Sequence, residues 1–175
     1  AMVPPAAMGN LPADHPPIDA NGPMPGAGGT MADTAVPTAN GSDLKWSAPP
    51  SWEATSGHAM RKGSYKMKAG GGDADISITA FPGATGGLEA NLNRWRGQVG
   101  MDPLPPAEVT TSATRFESNG LSFTVVDYRG SAGHMLGAIV PFGGNSWFFK
   151  LTGPDPTVVA AKPVFLEFLH TVKAP

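Results

Sequence analysis

The side chains of this chain that can do chemistry are few and of restricted kinds. There is no cysteine, which removes thiolate nucleophiles, disulfides, thiolate zinc sites, iron–sulfur clusters and covalent c-type haem. The soft ligands that remain gather near the N-terminus, where Met8, His15, Met24 and Met31 accompany Asp14 and Asp19. Thioether and imidazole donors in a cysteine-free chain suit copper. Their spacing is irregular and a flexible segment holds no preformed geometry, so the competing expectation is that they punctuate a spacer or dock on a partner. Copper is the one cofactor these residues suggest; otherwise none is expected.

Hydrolysis needs a nucleophile, a base and a group that orients the base. The bases available are His15, His58, His134 and His170, and none sits in a G-x-S-x-G, H-E-x-x-H, P-loop or G-x-G-x-x-G setting. The chain is therefore expected not to be an enzyme. Asp73 and Asp75, two apart beside the glycine run Gly70 to Gly72, could contribute to a hard-cation site, although solvated loop charges are the simpler reading. Asn91, Arg94 and Arg96, with Trp95 among them, form a candidate recognition patch of the kind enriched at interfaces. The alternative is a core Trp95 and an Arg94 paired to a carboxylate or capping a carbonyl. In LPADHPPID, the prolines Pro12, Pro16 and Pro17 favour an extended polyproline conformation that loses little entropy on docking. Leu11, His15 and Ile18 would supply its contacts, beside Pro16 and Pro17; the alternative is chance within a biased tract.

What must position these residues divides at about residue 44. From Ala1 to Asp43 there is no aromatic residue, no Lys and no Arg. This low-complexity Pro/Gly/Ala arm or tether, residues 1–43, lacks the apolar surface to offset its ordering entropy. Residues 44–175 hold every aromatic side chain, and their twelve basic residues face ten acidic ones. That balance lacks the clustered cations nucleic acid requires. The length suits one domain with a real core. No apolar run approaches the roughly 20 residues needed to cross a bilayer. A spacer ahead of a compact domain fits a surface-tethered protein, so an extracytoplasmic, periplasmic place is expected, with a signal or lipid-anchor segment removed.

Within the domain, Trp46 and Trp52 bracket Pro49-Pro50 and should anchor a first strand against the core. His58 to Lys68 and Ala74 to Phe81 should pair as a hairpin, the second alternating Ala74, Ile76, Ile78 and Ala80 with Asp75, Ser77 and Thr79. A helix should begin near Gly87 and stop at Gly97 or Gly100, with Leu88, Leu92, Trp95 and Val99 inward and Glu89, Asn93 and Arg96 away. A proline-rich link, a short segment around Thr110 to Ser118, an Asn119-Gly120 turn and a strand from Leu121 to Arg129 follow. Strands His134 to Phe142 and Ser146 to Thr152 are apolar almost throughout, which predicts burial on both faces. A closing helix should start with Asp155 as N-cap, carry Phe165, Phe168, Leu169 and Val172 inward, and be kinked or interrupted at Pro163.

The order predicts an α+β domain, an antiparallel sheet sandwiched between helices, preceded by the extended Pro/Gly-rich arm. With its W-x-x-P start at Trp46, its SITAFPG-GG-N-x-x-RW-x-x-Q segment and its WFFKLTGP-to-helix ending, it resembles a group of uncharacterised secreted bacterial proteins, often predicted lipoproteins. More distantly it resembles the PsbP-like fold, named for an extrinsic subunit on the lumenal side of photosystem II. These resemblances imply a non-catalytic extracytoplasmic binding or scaffold protein. Its expected partner is a membrane-associated protein, an electron-transfer or photosynthetic complex to which it is an accessory subunit. A periplasmic copper-binding protein is the second expectation, and a small-molecule binder with a pocket beside the sheet the third.

Overall fold

Along Gly72–Pro82, Ala74, Ile76, Ile78 and Ala80 are all buried on one side of the chain, while Asp75 is exposed and Thr79 half-buried on the other. This period of two makes the segment a strand with an apolar face and a more polar one. It is one of seven strands in the computed structural model, which describes residues 43–56, 58–84 and 86–175. Residues 1–42 lie outside the described residues, and with them the expectations placed on Met8, Leu11, His15, Pro16, Pro17, Ile18, Met24 and Met31.

The elements run β1 (Trp52–Ala54), β2 (Gly63–Ala69), β3 (Gly72–Pro82), α1 (Leu88–Gln98), α2 (Pro106–Thr111), β4 (Thr114–Ser118), β5 (Leu121–Gly130), β6 (Gly133–Phe142), β7 (Asn145–Gly153) and α3 (Asp155–Thr171). The strands form one antiparallel sheet in the order β1-β2-β3-β7-β6-β5-β4. Helix α3 covers one face, packing Phe165, Phe168 and Leu169 on Ile76, Ile78, Phe149 and Leu151. Helix α1 and the short α2 cover part of the other, where Leu92, Trp95, Val99 and Val109 meet Val126, Tyr128, Met135, Ile139 and Phe148. The fold is thus α+β, a sheet between helices, as its sequence pattern predicts. Strand β6 is buried on both faces from His134 to Val140. Trp52 anchors β1 in the core and Trp46 packs edge-on to Trp147 and Phe149. Asn119 and Gly120 both have positive φ, 52° and 74°, the conformation of the tightest hairpin turns, and join β4 to β5.

Five details of the elements differ from the sequence reading. Strand β7, expected to be buried on both faces, leaves Lys150 and Thr152 half-exposed on one of them, where no helix covers it. The first hairpin strand begins at Gly63, because His58 to Arg61 close a turn through the Arg61 N–H to His58 carbonyl bond. The proline-rich link contains α2, started by Pro106 at a first-turn position where no N–H is needed. Pro154, not Asp155, occupies the α3 N-cap position; the Asp155 carboxylate is drawn instead to Arg129 and His134. Pro163 does not interrupt α3. The carbonyl it leaves without an i+4 donor belongs to Val159, an exposed residue that water reaches.

Candidate functional site: a cationic cleft on the open face of the sheet

Helix α1 has only 11 residues and packs over β5, β6 and β7. The polar side of β3 remains uncovered, and a cleft of about 730 Å³ forms there. The antiparallel register sets its floor in rows: Asp75 beside Thr152, Ser77 beside Lys150, and Thr79 beside Phe148. Arg94 and Gln98, four residues apart and so on one helical face, form the α1 wall. Arg61 closes the far side from the turn before β2. Gly137 is the β6 partner of Lys150, and a methyl group there would come within 2.3 Å of the Trp95 ring. Its lack of a side chain lets the Trp95 ring pack closely on β6, where it forms part of the cleft wall.

The cleft gathers positive charge. Lys150 is half-buried and its Nζ donates to Gln98 Oε1 at 3.0 Å. Burial first, then repulsion from Arg94 and Arg61, pushes the Lys150 ammonium below its ordinary value, with Asp75 acting in the opposite sense. Arg61 donates to both Asp75 carboxylate oxygens at 3.0 and 2.9 Å and to Ser64 Oγ at 2.8 Å. Arg94 is exposed and makes no ion pair among the described residues. A half-buried cation held only by a neutral amide is costly to keep, and an anion in the cleft would relieve it.

At one end of the cleft lies His134, 4% exposed. Its Nε2 is 2.6 Å from Asp127 Oδ1. Its Nδ1 is 2.9 Å from Asp155 Oδ1 but outside hydrogen-bond alignment. Lys162 Nζ donates to Asp127 Oδ2 at 2.7 Å, and Arg129 grips both oxygens of Asp155. Burial opposes ionisation of Asp127, but hydrogen bonds from Lys162 and His134 outweigh it and hold the carboxyl below the usual carboxylate range. The network ties β5 and β6 to the start of α3.

The expected sites are placed unevenly. Of the α1 patch, Arg94 stands exposed in the cleft. Asn91 is buried, its Nδ2 donating to the Gly87 carbonyl at 2.8 Å. Arg96, expected to point away from the core, is buried: Nε donates to the Asp102 carbonyl at 2.8 Å and the guanidinium lies 5.3 Å from the Tyr128 ring centre. Trp95 is core. Asp75 is neutralised by Arg61 and Asp73 lies near Lys66; among the described residues no group of three His, Asp or Glu is arranged to hold a metal. His170 Nδ1 is 3.3 Å from Ser118 Oγ, but the pair is on the surface and among the described residues no carboxylate orients the ring. His58 is exposed before β2. No described helix is long and apolar enough to cross a membrane. Sequence reasoning missed Lys150, Arg61 and Gln98. Lys150 did leave a signal, a lone cation inside the otherwise apolar run WFFKL.

Fold and site together define a class: an α+β domain whose antiparallel sheet is sealed by one helix on one face and carries a ligand-sized cationic cleft on the other. No protein-family model and no curated protein matches the chain. Similar solved structures include a Bacteroides thetaiotaomicron protein, at 12% identity and TM-score 0.42, covering 75% of this chain and 45% of that one. LpqN of Mycobacterium tuberculosis, involved in cell envelope biogenesis, is similar at 9% identity and TM-score 0.46, covering 79% and 88%. Cyanobacterial PsbP (CyanoP) from Synechocystis sp. PCC 6803 is similar at 12% and 0.45, covering 88% and 100%. The chain thus spans under half the length of the Bacteroides protein. At these scores the likeness assigns no ligand, partner or location.

Proposed function

We propose that this domain is a non-catalytic binding module that holds a small anionic ligand in the cleft between β3, β7 and α1. The observation that supports this reading is the convergence of Arg61, Arg94 and Lys150 on one cavity against a single carboxylate, Asp75. Guanidinium groups offer paired N–H donors to oxyanions and the ammonium adds a point charge. The hydroxyls of Ser77, Thr79 and Thr152 line the same floor and complete a donor-rich surface. No nucleophile–base–acid set accompanies these groups among the described residues, so binding is the activity they favour. Work outside the cytoplasm, with residues 1–43 as a tether, is part of the proposal and rests on the composition of that segment.

The test is a two-dimensional NMR titration of the full chain with inorganic phosphate. Saturable shifts are expected at the amides around Ser77, Arg94, Gln98 and Lys150, and both Lys150→Met and Arg94→Gln should weaken binding at least tenfold with the spectrum of the folded state retained. Shifts scattered over surface cations, or a response unchanged in both variants, would overturn the reading.

A further inference from the structure

The composition of the cleft narrows its ligand, if the anion-binding reading holds. The charges do not cancel. Arg61, Arg94 and Lys150 face Asp75 alone, which leaves two positive charges uncompensated. The neighbouring groups do not change this sum: Lys66 sits against Asp73, and Asp127 and Asp155, which flank His134 at the end of the cleft, are matched by Lys162 and Arg129. A doubly charged head group matches that excess, where a carboxylate or sulfate ester would leave one cation unpaired.

The cleft is also far larger than an oxyanion. Its roughly 730 Å³ lies within the range of about 300–1,000 Å³ typical of small-molecule sites. Beyond the polar rows of the floor, Phe148 and Phe81 stand side by side, ring centres 5.9 Å apart, with Trp95 behind Phe148 at 6.0 Å. At the lip, Met60 is 41% exposed, one of two large apolar side chains so exposed among the described residues. Along the floor the charged Ser77–Lys150 row is followed by the aromatic Thr79–Phe148 row, with Met60 also in the lining, the surface of a site for a two-part molecule.

We infer that the cleft takes a phosphomonoester with an apolar body, its dianionic head at Lys150, Arg94 and Arg61 and its body against Phe81 and Met60. A phosphate monoester carries close to two charges at neutral pH because its second pKa is about 6, and the floor hydroxyls and Arg94 supply the donors its three free oxygens accept. Gln98, which accepts the Lys150 hydrogen bond, yields the ammonium to the ligand.

Calorimetric titration of the full chain at pH 7.5 with phenyl phosphate, phenyl sulfate, benzoate and inorganic phosphate separates head from body. Phenyl phosphate should bind at least tenfold more tightly than phenyl sulfate, which has its shape with one charge fewer, and at least tenfold more tightly than inorganic phosphate, which lacks the ring. Met60→Ser and Phe81→Ser should weaken phenyl phosphate severalfold and leave inorganic phosphate unchanged. Equal binding of phenyl phosphate and phenyl sulfate, or of phenyl phosphate and inorganic phosphate, would overturn the ligand class while the anion site stands. If none of the four anions binds, the anion site itself fails. Cosedimentation with phosphatidylcholine vesicles containing phosphatidic acid, lost in Lys150→Met, would give the ester a lipid source; Lys150-dependent binding of phenyl phosphate without cosedimentation would give it a soluble one.

Discussion

The two faces of β7 show how this domain separates stability from binding. Trp147, Phe149 and Leu151 point to the α3 face and are fully buried. Phe148, Lys150 and Thr152 point the other way; the first is buried under α1 and the other two are half-exposed on the cleft floor. Strand β3 repeats the division, with Ile76 and Ile78 sealed beneath α3 and Asp75 and Thr79 in the cleft. The cause is helix length. Helix α3 has 17 residues and closes its face; α1 and α2 have 11 and 6 and do not. A face that is sealed can carry the apolar burial on which marginal stability depends. A face left open can keep uncancelled charge because part of it still meets water.

The largest effect should come from setting adjacent residues of β7 against each other. Phe149→Ala removes a fully buried ring that touches Trp46 and Phe168, and should cost about 3–5 kcal/mol. Lys150→Met, one position along, keeps the aliphatic stem and removes a half-buried charge, so stability should hold or rise. Urea unfolding of the two variants measures both. Comparable losses would mean that the cleft face is as structural as the sealed one.

A smaller effect sharpens the boundary between the cleft and its helix. Gly137→Ala drives a methyl group into the Trp95 ring and should cost about 1–3 kcal/mol through overpacking, with altered near-UV circular dichroism as the ring tilts. Gly97→Ala on α1 meets nothing within 4 Å and should stabilise by about 0.5–1 kcal/mol, since glycine is a poor helix residue. The same chemical change would then have opposite signs on the two sides of one helix–sheet contact. A Gly137→Ala variant that is not destabilised would show that Trp95 has room to move.

What could be read from the sequence follows from distance along the chain. The alternation in β3, the doubly buried β6 and the inward stripe of α3 are local patterns, and periodicity reports them directly; the apolar run of β7 overstated its burial, because whether a helix reaches its second face is not a local property. The six-residue α2 is too short to show a period, so only its paired prolines marked it. Arg96 lies beside Val99 and Leu92 on the helix surface, and its burial depends on a ring, Tyr128, supplied by a strand 32 positions away. The cleft was the least legible feature, because Arg61, Arg94 and Lys150 come from three elements and meet only through the β3–β7 register. Arg94 stood out through its neighbour Trp95; Lys150 could have been found by asking why one cation interrupts a buried strand.

The smallest expected effect concerns the ion pairs where the two faces join at the start of α3. Asp127 is held below the ordinary carboxylate value of about 3.9, with burial opposing and the Lys162 and His134 hydrogen bonds prevailing. A carboxylate whose folded value is depressed contributes stability above its unfolded value and loses it as pH falls through the folded one. Asp155 shifts the same way, mainly through its hydrogen bonds from Arg129, but on an exposed pair. The Asp127 side chain is 36% exposed, so solvent screening should keep its contribution under about 1 kcal/mol. Thermal melts of the native chain and Asp127→Asn should therefore differ by a few degrees at neutral pH, and the gap should close as pH falls below about 4. A gap that persists in acid would assign Asp127 a packing role independent of its charge, and the junction would then belong with the sealed face.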